Sequence, residues 1–220
     1  DWVRRERITV FHAVPAIFRQ LRPMPDRYPA LRLVRLEGDG ATGADVALFR
    51  ARCRPDGVLV NGLGATECGL IRQYFVAGSD PVPAAAGPLP VGYPVPDMAV
   101  SLRDDGDRAV PIGEIGEIVV DSAFVAGGYW NNPTLTAARF SRLADGRRRY
   151  RTGDLGRIDE DGRLTHLGRL DQQTRIGGRT VDTTAIEAAL LEQPGISQAV
   201  LSVGTPDGAE PRLVAYLVAS

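Results

Sequence analysis

The sequence predicts an α/β plus β fold: a layered α/β section, then a β-rich section, then a smaller α+β piece. Three observations carry this. Apolar stretches in roughly the first ninety residues alternate between helical and strand spacing. From Gly78 to Pro96 the chain is rich in proline, glycine and alanine, which no helix survives, and short strand candidates follow. After Asp171 a helical run returns between strand candidates. The boundaries this implies are 1–93, 94–170 and 171–220.

Taken in order, Val14, Ile17, Phe18 and Leu21 form a helical stripe, and Leu31 to Leu36 is a short apolar strand. Thr42 to Cys53 reads as a helix with Thr42 as N-cap and Asp45 in its first turn, where the helix dipole favours an acid. Pro55-Asp56-Gly57 is a turn, and Val58-Leu59-Val60 a second buried strand. This strand, helix, strand order points to a parallel sheet. Met98 to Leu102 and Glu117 to Val120 are strands, with a hairpin-turn signal at Asp104-Asp105-Gly106-Asp107. Asn132 caps a short helix to Phe140, with Pro133 at its first position. Arg157 to Leu164 is strand, turn, strand. Thr183 to Glu192 is a helix stopped by Pro194-Gly195, and Val200 to Val203 and Leu213 to Val218 are strands.

Composition excludes several functions. A net charge of −1 gives no electrostatic case for nucleic acid or an anionic membrane. No apolar run approaches the ~18–20 residues of a membrane span, and no signal-peptide core opens the chain, so a cytoplasmic setting is expected. Cys53 and Cys68 make neither a disulfide framework nor a zinc site. All 26 basic residues are arginine, so chemistry that needs a lysine must find it in other polypeptide.

The segment Asn61-Gly62-Leu63-Gly64-Ala65-Thr66-Glu67 follows a buried strand and so lies at a strand's carboxyl end, where open α/β sheets bind ligands. Its glycines admit close backbone approach, Thr66 offers a hydroxyl to phosphate, and Glu67 is a hard oxygen ligand suited to Mg²⁺. Tyr150-Arg151-Thr152-Gly153-Asp154-Leu155 sets a carboxylate just past a tight glycine turn, able to take both hydroxyls of a ribose. Gly168-Arg169-Leu170-Asp171 adds an arginine and a second carboxylate. Taken singly, each also reads as an ordinary turn or surface ion pair. His12 reads as a hydrogen-bonded interior residue, His166 as half-exposed in a strand, and Arg147-Arg148-Arg149 as a solvated turn.

Together and in this order, these segments resemble the adenylate-forming superfamily, which includes nonribosomal peptide synthetase adenylation domains, acyl-CoA synthetases and firefly luciferase. Leu31 to Asp39 resembles its strand ending in Gly-Gly-Glu. Gly113 to Ile118 followed by Gly127 to Pro133 resembles its next signature, and Arg175 to Gly178 the loop after its hinge. The resemblance implies part of the large adenylation subdomain, α/β layer and β-rich section, followed by part of the small C-terminal α+β subdomain. It also implies a reaction: a carboxylate attacks the α-phosphate of ATP, and the acyl group then passes to a thiol of phosphopantetheine or CoA. Carried over by position, Gly38, Asp39 and Gly40 border the nucleotide, and Asn61, Gly62, Leu63, Gly64 and Ala65 line its adenine side. Thr66 touches phosphate, Glu67 holds Mg²⁺, Asp154 takes the ribose hydroxyls, Arg169 the ribose or phosphate, and Asp171 is the hinge. Arg35, Glu37, Gly62, Leu70 and Ile71 line the acyl pocket, which implies a polar acid such as an amino acid unless Arg35 and Glu37 simply pair with each other.

The pattern departs from the family at several points. Leu63 stands where an aromatic residue is common, Glu37 and Asp39 replace parts of Gly-Gly-Glu, and Gly177 and Thr180 stand where arginine is frequent. The family's two lysines, one in a phosphate loop and one in the C-terminal part, are not in this sequence. The expectation is therefore an internal portion of an adenylating enzyme, inactive alone, whose partners are the remainder of the adenylation domain and a carrier-protein domain. Two other readings fit the same residues: part of an acyl-CoA or aryl-acid ligase, and a non-catalytic scaffold that keeps the fold.

Overall fold

The first elements are α1 (Trp2–Arg5), β1 (Val10–Ala13), α2 (Pro15–Arg19), β2 (Leu33–Leu36), α3 (Gly43–Arg52), β3 (Val58–Ala65), β4 (Gly69–Ala77) and β5 (Tyr93–Pro94). The computed structural model describes residues 2–21, 27–81, 87–170, 174–176, 179–181, 183–191, 193–204 and 212–219. It divides into two compact units, Asp1–Thr152 with Gly156–His166, and Gly153–Leu155 with Leu167–Ser220.

In the first unit, β1 to β5 form one sheet in chain order. β2 and β3 are parallel, as the strand, helix, strand order predicts; β1, which the sequence pattern does not mark as a strand, joins them in parallel, and β4 and β5 turn back antiparallel. Helix α3 starts where Thr42 places it: the Thr42 N–H donates to Asp45 Oδ2 at 2.8 Å. Asp45 is fully buried and also takes two bonds from Arg19, from Nε and Nη2, each at 2.8 Å. Phe18 of α2 and Phe49 of α3 pack with Leu31, Val34, Leu36 and Leu59 in the first core. Each buried phenylalanine contributes about 1.5–3 kcal/mol over an exposed one.

A second sheet contains β6 (Ala99–Arg103), β7 (Ile115–Ser122), β8 (Phe140–Arg142), β9 (Arg148–Ile158) and β10 (Leu164–Arg169), in the order β10-β9-β7-β6 with β8 on β9. Helix α4 (Pro133–Arg139) precedes β8, and the Asn132 side chain accepts from the Leu135 N–H as the N-cap reading requires. The two sheets bury Ile71, Met98, Val120 and Tyr150 in one cluster and Val91, Leu102, Ile118 and Leu164 in another.

The second unit holds the hairpin β11 (Thr174–Ile176) and β12 (Arg179–Val181), helix α5 (Thr183–Leu191), and the antiparallel pair β13 (Ile196–Gly204) and β14 (Arg212–Ala219). The Leu201 N–H donates to Glu187 at 2.6 Å, which ties α5 to β13. Asp171, expected as a hinge, and Gly177 lie outside the described residues. Among the described residues no helix is long and apolar enough to cross a membrane.

Three local expectations are corrected. The glycine-rich run Asn61 to Ala65 is not a loop after β3 but the second half of it, held in register against β4 with a bulge between Leu63 and Gly64. Asp154 does not follow a tight turn; it sits inside the 11-residue β9, where only Gly153 takes a left-handed φ of +76°. Arg148 and Arg149 are not a solvated turn. They begin β9, where Arg149 makes a two-pronged bond to Asp121 at 2.7 Å and Arg148 donates to the Val125 carbonyl at 2.9 Å.

Candidate functional site

Parallel strands β1 and β2 end side by side while β3 runs on, with His12 opposite Arg35 and Leu36 opposite Asn61. Three chemically active side chains, His12, Arg35 and Glu37, meet at the ends of β1 and β2. Arg35 Nη2 donates to Glu37 Oε1 at 2.7 Å, and His12 Nε2 lies 2.8 Å from Glu37 Oε2. Arg35 and Glu37 thus pair with each other, the simpler of the two readings of that pair. His12 is no interior residue; it is exposed, because the end of β1 leaves its ring facing Glu37 and solvent. Gly62 makes room for this cluster: a Cβ there would fall 2.7 Å from Glu37 Cγ.

The adjoining Gly38–Gly40 loop is fixed from two sides. Gly38 takes a left-handed φ of +86°, which suits glycine. Asp39 Oδ1 accepts from the Gly40 N–H at 2.7 Å, and Arg19 Nη2 donates to the Gly40 carbonyl at 3.0 Å. Arg19 therefore links the α3 cap to this loop, and Asp45 raises its pKa. Asn61 is buried, and its amide donates to the carbonyls of Leu89 and Pro90 at 3.1 and 2.9 Å.

Between β3 and β4, Thr66-Glu67-Cys68 forms the hairpin turn. Thr66 is exposed and Cys68 buried. Glu67 is held twice by the loop before α4. Its Oε1 accepts from the Tyr129 hydroxyl at 2.8 Å, and its carbonyl accepts from the Ala126 N–H at 2.7 Å. Tyr150 is buried nearby, its ring stacked on Phe140. Burial first, and Glu67 second, raise the pKa of Tyr129; burial, Tyr129 and Glu67 raise that of Tyr150. Leu70 is partly exposed, whereas Ile71 is fully buried in the core with Met98 and Val120. Within the second unit Asp154 and Arg169 pair at 3.3 Å.

The sequence pointed to Arg35, Glu37 and Glu67 but not to what grips them. His12 could have been found from its register beside Arg35, once β1 and β2 were paired. Tyr129 lay inside a recognised segment, yet only the fold brings its hydroxyl to a residue sixty-two positions earlier. Arg19 carried no sequence signal beyond its charge.

Comparison with known proteins identifies the family. The profile of the AMP-binding enzyme family matches residues 1–130. Tyrocidine synthase 3 of Brevibacillus parabrevis is 33% identical over 225 residues, covering 100% of this chain and 4% of that protein. Pyochelin synthetase PchE of Pseudomonas aeruginosa is 36% identical over 205 residues, covering 91% of this chain and 14% of its own length. Among solved structures, holo-AB3403, a four-domain nonribosomal peptide synthetase bound to AMP and glycine, superposes with a TM-score of 0.82 at 29% identity, over 100% of this chain and 16% of that one. The chain thus spans a small fraction of the length of these relatives. It belongs to the AMP-binding enzyme family, the adenylate-forming superfamily.

Proposed function

We propose that these residues are part of an amino-acid adenylation domain of a nonribosomal peptide synthetase, working in the cytoplasm. In this reading a carboxylate oxygen attacks the α-phosphorus of ATP, the bond to the β-phosphate oxygen breaks, and pyrophosphate leaves. The sulfur of a carrier-protein phosphopantetheine then attacks the acyl carbon, and AMP leaves. Both steps depend mainly on positioning and charge neutralisation. Because the chain has no lysine, any lysine in the reaction comes from other polypeptide.

The observation that carries this reading is β3, which pairs in parallel with β2 as far as Asn61, packs Gly62 against Glu37, and runs on into the β3–β4 turn that carries Thr66 and Glu67. We assign Thr66 to phosphate, Glu67 to Mg²⁺, Gly38 to Gly40 and Asn61 to Ala65 to the nucleotide, and Asp154 and Arg169 to ribose and phosphate. The Asn61 amide serves from behind, by holding Leu89 and Pro90. Asp171 remains the assigned hinge. Gly62 and Leu70 are assigned to the acid pocket, with Arg35, Glu37 and His12 at its edge; since these three pair among themselves, the choice of an amino acid rests on the family and not on that pair. Ile71 supports that pocket from the core. One carboxylate suits Mg²⁺, which keeps several waters and takes substrate phosphates as its other ligands; with the Tyr129 hydroxyl bound at Oε1, Glu67 still has acceptor capacity. Bound there, the ion would supply positive charge to the phosphates.

Exchange of labelled pyrophosphate into ATP tests the reading. The natural polypeptide carrying these residues is assayed with a panel of amino acids and aryl acids, alongside Asp154→Ala. Exchange with one amino acid, abolished by Asp154→Ala, is expected. Exchange with an aryl acid redirects the reading to an aryl-acid ligase, and no exchange with any acid in a folded protein overturns it in favour of a scaffold.

A further inference from the structure

We propose that Tyr129 is a positioning residue that sets the orientation of the Glu67 carboxylate for metal-bound nucleotide. This rests on the assignment of Glu67 above. A glutamate on a tight turn is a poor ligand unless its rotamers are restricted, since the lost side-chain freedom must be offset each time it binds. Here that restriction is built in. The Tyr129 hydroxyl fixes Oε1 at 2.8 Å, and the Ala126 N–H fixes the Glu67 carbonyl at 2.7 Å. One loop therefore grips both the side chain and the backbone of the same residue.

Tyr129 is itself held at its backbone and at its ring. Its N–H donates to Thr136 Oγ1 at 2.9 Å, and Thr136 in turn donates to the Asn132 carbonyl at 2.8 Å, at the start of α4. Its ring meets Phe140 edge-on at 5.2 Å, and Phe140 stacks on Tyr150 at 4.9 Å. Gly128, at φ +138°, lets the loop come this close: a Cβ there would lie 2.3 Å from Thr136 Cγ2. A phenol so fixed does more than fill space. It donates along one direction and leaves the remaining carboxylate lone pairs aimed by that bond. Removing partners of this outer-shell kind typically weakens metal binding about 10–100-fold.

The test uses the natural polypeptide and reads ATP binding by calorimetry across a Mg²⁺ titration, with no turnover. Four proteins are compared: wild type, Tyr129→Phe, Glu67→Gln and the double variant. Phenylalanine keeps the ring contact with Phe140 and removes only the hydroxyl. The expected result is a roughly tenfold rise in half-saturating Mg²⁺ for Tyr129→Phe, with Mg²⁺-free ATP affinity and the unfolding midpoint unchanged. Glu67→Gln is expected to abolish the Mg²⁺ enhancement, and Tyr129→Phe to add nothing in that background. If Glu67→Gln abolishes the enhancement while Tyr129→Phe leaves it intact, the positioning role is wrong and the Glu67 assignment stands. If Glu67→Gln leaves it intact, both are wrong. Should Tyr129→Phe fail to fold, Thr136→Val, which removes the acceptor of the Tyr129 N–H, is measured in its place; an unchanged Mg²⁺ requirement there overturns the proposal.

Discussion

Gly62→Ala is expected to act almost entirely through Glu37. Gly62 has no left-handed φ, so its backbone accepts alanine without strain. The added Cβ would lie 2.7 Å from Glu37 Cγ and Oε1 and 3.0 Å from Cδ. Ordinary contact begins at 3.4 Å, so Glu37 must retreat by about 0.7 Å. A retreat of that size stretches the bonds to Arg35 and His12, now 2.7 and 2.8 Å, to the edge of useful hydrogen bonding. Charge-assisted bonds are worth about 1.5–3 kcal/mol each. Half the His12 side chain and a third of Arg35 remain in solvent, however, which reduces each toward 1 kcal/mol or less. The expected loss is about 1–2 kcal/mol, read as a lowered urea midpoint. Glu37→Ala removes Cγ and the carboxylate, so in that background Gly62→Ala should cost under about 0.5 kcal/mol. Equal costs in both backgrounds would refute the reasoning, because the strain would then lie in the backbone and not against Glu37.

Other outcomes follow from the same accounting. Arg19→Met strands the fully buried Asp45 with only its Thr42 partner and should cost about 3 kcal/mol in urea unfolding; a loss under 1 kcal/mol would contradict this. Arg72 is buried, its Nε has no hydrogen-bond partner, and burial lowers its pKa to about 10, so the folded state disfavours its charge. Arg72→Met forfeits one bond to the Gly162 carbonyl at 2.7 Å but removes that charge. Its unfolding free energy should stay within about 1 kcal/mol of wild type or exceed it. Burial pushes the Cys53 thiol up to about 12, so iodoacetamide at pH 8 should leave it unmodified until denaturant is added. The folded thiol keeps its proton while the unfolded one ionises, so stability from this group falls as pH climbs from 9.0 towards 12.

Some parts of this molecule were legible from residue order and others only from the fold, and the difference has a physical basis. Thr42 with Asp45, and Asn132 with Pro133, announce helix starts because capping is settled within four residues of chain. The parallel pairing of β2 with β3 follows from two apolar strands separated by a helix, whereas β1, only four residues long, went unmarked. The run from Asn61 to Ala65 misleads because glycine speaks equally for a loop and for a strand that must admit a close neighbour. What decides is Glu37, from a different strand, lying where a Cβ at Gly62 would be. Charge is the least legible property. Arg149 sits in a row of three arginines that looks solvated, yet Asp121 reaches it across the second sheet. His12 looks interior among apolar neighbours, yet it closes on Glu37 at the open ends of two strands. Glu37 and Glu67 are therefore each oriented by a partner far away in sequence, Glu37 by His12 and Glu67 by Tyr129. Local pattern can name such an acid, but only tertiary contact says which way its oxygens point, and that direction is what binding chemistry uses.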